Sequence, residues 1–126
     1  MEQTSKELLI KDLTARLPYE VKVKISCIES PLTVLSINTN GVAWVKGDKG
    51  YPFDIDWEYC KPYIFPLSSM TEEQKEEHKD LLDNQYSFDA NGNIFTLQDF
   101  YCKYHLDFRG LIPMGLAIDA TNLNIY

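Results

Sequence analysis

The chain has 126 residues, 44% of them apolar, which fits one domain able to hold a core without disulfide or metal staples. Nineteen acidic against 12 basic residues give a formal charge of −7, which argues against the non-specific nucleic-acid binding that rests on neutralising phosphates with Lys and Arg. The charge is uneven, with residues 1–63 net −1 and residues 64–126 net −6.

In chain order, the first segment reads as a helix over about Lys6 to Leu17, with Thr4 and Glu7 as a Thr-x-x-Glu capping box. Leu9, Leu13 and Leu17 recur at i, i+4 and i+8, so one face must dock on something, and Pro18 ends the helix. The period then changes to two. Val21, Val23 and Ile25 alternate with Lys22 and Lys24 as a half-exposed strand. Leu32 to Asn38 is a second strand whose alternation slips at Val34-Leu35, the mark of a bulge. Asn40-Gly41 signals a tight hairpin into Val42 to Lys46. A turn at residues 47–50 leads to an alternating run from Tyr51 to Trp57, and Tyr63-Ile64-Phe65 is a last apolar piece. Strands this short on tight turns predict an antiparallel meander, able to curl into a small barrel.

Pro66-Leu67-Ser68-Ser69 marks a change of texture. Thr71 and Gln74 make a second capping box, opening a mostly polar surface helix to about Leu82. A third helix, capped by Thr96, runs from about Leu97 to His105 and buries Leu97, Phe100, Tyr101 and Tyr104. Gly110 follows as a turn or stop, and the segment after it can add a final strand. The expected fold is therefore α+β: an antiparallel four- to five-stranded meander or small barrel with an N-terminal helix and two C-terminal helices. It forms a single domain over 1–126, with a helix at 1–18, a β meander at 19–66 and a mainly helical part at 67–126.

The opening MEQTSKELLI lacks the basic n-region of a secretory signal, and no apolar stretch approaches the ~20 residues of a membrane span. Cys27, Cys60 and Cys102 are an odd count at spacings that match neither a disulfide framework nor a zinc site. Buried free thiols in a reducing, cytoplasmic setting are the expectation.

Five features carry candidate chemistry. Residues 87–98, SFDANGNIFTLQ, place Ser87, Asp89 and Asn91 at the first three ligand positions of a calcium loop, but Ser87 and Gln98 stand where strong carboxylates belong. A chain reversal at Asn91-Gly92 is the better reading, and no metal or cofactor is expected. Cys102 and His105, with Asp107 beyond, have the residue types of a thiolate nucleophile, yet a core thiol with a capping histidine is favoured and no catalytic residue is assigned. The aromatic-rich strands suggest a stacking platform in which Trp44, Lys46, Tyr51, Trp57 and Arg109 hold a small anionic, nucleotide-like ligand. Core packing competes for the same rings. Arg109, one of two arginines, needs a partner among the apolar residues around it, with Asp107 or helix-ending carbonyls as the expected ones. Lastly, Glu72, Glu73, Glu76, Glu77 and Asp80 form an acidic helix face suited to docking a protein partner.

The stretches KELLIKDLTARLPYEVKV (6–23), CKPYIFPLSSMTEEQ (60–74) and HLDFRGLIPMGLAIDATNLNIY (105–126) resemble a family of small uncharacterised proteins of gut anaerobes, often found in phage and mobile-element regions. The family has no assigned activity, so the resemblance implies an intracellular accessory protein and transfers no functional residue. The expected function is non-catalytic: docking on a protein partner through the acidic helix, or binding a small anionic ligand on exposed aromatics. A cysteine hydrolase is a distant third, and no membrane association is expected.

Overall fold

A computed structural model describes residues 3–26, 28–38 and 40–126. Helix α1 (Gln3–Arg16) precedes the strands β1 (Lys22–Ile25), β2 (Ile28–Ile37), β3 (Val42–Lys46), β4 (Phe53–Asp56) and β5 (Lys61–Ile64). Then come α2 (Glu72–Asn84), the hairpin strands β6 (Tyr86–Phe88) and β7 (Ile94–Thr96), α3 (Leu97–Lys103) and the short β8 (Ile118–Asp119). The fold is α+β.

The main sheet has the order β4-β3-β2-β1-β5-β8. Its first four strands are the expected meander. The fifth does not continue it: β5 crosses to the far side and pairs antiparallel with β1, and β8 then joins β5 in parallel. The sheet stays open, with β4 and β8 as edges, and does not close into a barrel. Asp54 and Asp56 put charge on the β4 edge, which discourages another chain from pairing there.

Local chemistry explains the joints. The slip at Val34-Leu35 is a real bulge, since the β2–β3 register shifts between Val34 and Ser36. At the β2–β3 turn the Asn38 side chain accepts the N–H groups of Asn40 and Val42, while Gly41 sits at φ 84, a conformation that costs glycine least. Helix α1 begins at Gln3, earlier than expected, so Thr4 lies inside its first turn, and Pro18 falls in a 3-10 turn that follows Arg16. Helix α2 has its capping box complete, with Gln74 N–H on Thr71 Oγ1 and Thr71 N–H on Gln74 Oε1. Helix α3 stops at Lys103, two residues short of the expectation.

Alternation places Val21, Val23, Leu32, Val34, Ala43 and Val45 under α1, where they meet Leu9 and Leu13. Complete burial of each such leucine contributes about 1.5–3 kcal/mol. The opposite face presents Lys22, Lys24, Thr33, Trp44 and Lys46, each at least partly exposed. A second apolar cluster joins Ile64 to Leu111, Leu116 and Ala117, and a third joins Leu81, Phe100 and Leu106 between α2 and α3.

Candidate functional site

The deepest polar group is one that pattern reading missed. Leu9, Asp12, Leu13 and Arg16 share the inward face of α1 at i, i+3, i+4 and i+7, and all four are buried. Arg16 Nε donates to Asp12 Oδ2 at 2.8 Å and Nη2 to the Leu106 carbonyl at 2.6 Å. Arg109 Nε donates to the other carboxylate oxygen at 3.2 Å. Both guanidinium carbons lie over the Phe108 ring, at 5.6 and 4.5 Å. Arg109 therefore pairs with Asp12, 97 residues away, and not with Asp107. The Asp107 carboxylate instead accepts the Leu111 and Ile112 N–H groups and so holds the loop at Gly110. This cluster clamps α1 to the C-terminal part, with both carboxylate oxygens of Asp12 engaged by arginine.

The Cys102–His105 pair is not poised for attack. Burial pushes the Cys102 thiol up, away from thiolate. Burial first, then the charges of Arg16 and Lys22, pushes the imidazole down to about 4. Among the described residues no hydrogen bond joins the two side chains. His105 stacks on Tyr126 instead, at 3.6 Å between ring centres and 12° between planes. The Tyr126 hydroxyl accepts the Lys22 N–H at 3.0 Å and donates to the Tyr63 carbonyl at 2.8 Å, bridging β1 and β5 where their ladder has run out. Burial pushes that phenol up to about 12.

The five ligand candidates are dispersed. Trp44 and Lys46 stand on the open sheet face. Tyr51 is 92% exposed and lines a cleft of about 480 Å³ with Leu32, Gly47, Lys49 and Phe53 on the sheet's other side. Trp57 packs on the α1 core cluster, and Arg109 belongs to the buried clamp. The aromatic set splits: Tyr63 is buried, Trp57 half-buried, and Trp44, Tyr51 and Tyr59 exposed.

Residues 87–98 include a turn between β6 and β7. Asp89 Oδ1 accepts the N–H groups of Asn91 and Asn93, so the loop's carboxylate is engaged by backbone. The register Tyr86–Thr96, Ser87–Phe95, Phe88–Ile94 puts Phe95 toward the third core cluster and Tyr86, Phe88 and Ile94 together on the opposite face. With Leu82 at the end of α2, these side chains are 49–63% exposed, and the Tyr86 and Phe88 rings meet edge-on at 5.7 Å. Helix α2, which carries the acids, leads directly into this hairpin. Glu72 is paired with Lys75 at 3.3 Å, and Glu77 accepts the Tyr104 hydroxyl at 2.8 Å and so belongs to the α2–α3 packing. Glu73, Glu76, Asp80 and Asp83 are exposed, with none of them in an ion pair among the described residues.

Among the described residues no helix is long and apolar enough to cross a membrane. No protein-family model, no curated protein and no solved structure matches the chain.

Proposed function

We propose that the chain is a non-catalytic docking protein that engages a protein partner through α2 and the hairpin behind it. The observation that carries this reading is the clustering of Tyr86, Phe88 and Ile94 on one exposed hairpin face, in a hairpin that follows directly on the acidic α2. Interfaces draw affinity from a few apolar and aromatic anchors, and charge around them directs encounter. A contiguous exposed apolar group on a small domain marks an interaction site more often than a lone exposed residue does. The partner this surface fits presents an apolar segment flanked by Lys or Arg. The resemblance of three segments to small phage and mobile-element proteins supports an accessory role of this kind.

Capture from a host lysate tests it, comparing wild type with Phe88→Ser/Ile94→Ser and with Glu76→Lys/Asp80→Lys. The same protein should be retained by wild type and lost by both variants, with binding that weakens as salt rises. Equal recovery of that protein by all three baits would exclude this surface.

A further inference from the structure

We propose that the cleft between β1 and β5 on the open face of the sheet binds a small phosphate monoester with a flat or apolar body. Lys24 and Lys61 are direct cross-strand partners there. Like charges placed opposite each other destabilise a sheet, and among the described residues neither ammonium has an ion-pair partner. Such an arrangement is relieved by an anion held between the two. A cavity of about 220 Å³ lies at this point, lined by Lys24, Ser26, Glu58, Tyr59, Lys61 and Ile118. Its one acid is neutralised: Glu58 is in an ion pair with Lys6 at 3.1 Å. Counting that pair, the lining keeps the charge of two lysines.

A phosphate monoester carries a charge of roughly −1.5 to −2 near pH 7 and three acceptor oxygens, which matches two ammonium groups and the Ser26 hydroxyl. A carboxylate could bridge both lysines but would neutralise the charge of only one. Tyr59, 63% exposed, and Ile118 supply an apolar wall on which a flat group can lie. The volume falls below the roughly 300–1,000 Å³ of sites for drug-sized ligands, which confines the occupant to a small molecule. This site shares no residue with the docking surface, so either can fail without the other.

The test titrates phenyl phosphate into the full ¹⁵N-labelled chain, followed by amide shifts. Saturable shifts should localise to residues 24–26, 58–61 and 118. Lys24→Gln and Lys61→Gln should each weaken binding about tenfold, the worth of one charge-assisted hydrogen bond. Lys46→Gln, on the same face but outside the cleft, should bind as wild type does, and inorganic phosphate should bind more weakly than phenyl phosphate. The thermal midpoints of Lys24→Gln and Lys61→Gln should equal or exceed that of wild type, since removing either lysine relieves their repulsion. No saturable shift, or equal weakening by all three lysine changes, overturns the site. Equal affinity for inorganic phosphate overturns the apolar body.

Discussion

Asp12→Ala is the sharpest perturbation available, because one carboxylate at 0% exposure serves two guanidinium groups, one on each oxygen. Removing it leaves Arg16, also fully buried, with a single bond to the Leu106 carbonyl. Breaking a buried ion pair from one side costs about 3–5 kcal/mol, because the surviving charge stays in the interior. A chain of this length has a total stability of roughly 6–19 kcal/mol at ~0.05–0.15 kcal/mol per residue, so the loss is a large share. With a urea slope of about 2 kcal/mol per M, the midpoint followed by tryptophan fluorescence should fall by about 2 M. Arg109→Ala should cost only about 1–2 kcal/mol, since its side chain retains 12% exposure and gives up one 3.2 Å bond. Replacing all three groups together (Asp12→Leu, Arg16→Met, Arg109→Met) removes every charge of the clamp and should return to within about 1–2 kcal/mol of wild type. An Asp12→Ala loss under about 1 kcal/mol, or a triple variant as weak as the single one, would refute this account of the clamp.

Three further outcomes concern groups outside the clamp. Tyr126→Phe deletes the hydroxyl that spans the Lys22 N–H and the Tyr63 carbonyl, and should cost about 1–2 kcal/mol, a fall in Tm of roughly 3–6 °C; an unchanged Tm by circular dichroism contradicts the bridge. His105 has a folded pKa of about 4, below its unfolded value near 6.5, so the unfolded chain binds the extra proton between those limits. Stability from this group is complete above pH 6.5 and is lost as pH falls toward 4, by on the order of 1–2 kcal/mol after solvent screening. His105→Asn, which tolerates the residue's φ of 56, should flatten that slope in urea midpoints at pH 7 and pH 5; parallel slopes for both proteins would remove His105 as the source. Burial pushes the Cys60 thiol up to about 11 and raises Cys102 as well, so both should resist iodoacetamide at neutral pH and react in urea; rapid native labelling read by mass spectrometry would reopen the nucleophile.

What was legible in the sequence was local. The Thr71 and Thr96 caps, the Asn40-Gly41 reversal and the Val34-Leu35 slip each depend on residues within a few positions of one another, and each is in the structure. The α+β class followed from the change of period at Val21. What stayed hidden was pairing over distance. Nothing near residues 61–64 says that β5 will leave the meander and pair with β1, nor that Arg109 will reach Asp12. A signal for the clamp was present in α1, where Asp12 and Arg16 interrupt the stripe of Leu9 and Leu13; charges inside an apolar stripe must be partnered. The proposed docking surface was half legible. The acids of α2 stand out by composition, but the register of β6 and β7, which decides that Phe88 and Ile94 face outward while Phe95 faces in, is a tertiary outcome.

The clamp also sets an order of events for a growing chain. At roughly 5–20 residues per second, α1 is synthesised several seconds before Arg109 and the Leu106 carbonyl exist to receive it. Until then its Asp12–Arg16 pair cannot be buried at low cost, so the sheet must wait for its helix. The two halves differ in texture and charge, yet they should melt as one cooperative unit, and a fragment ending near Phe65 should stay unfolded.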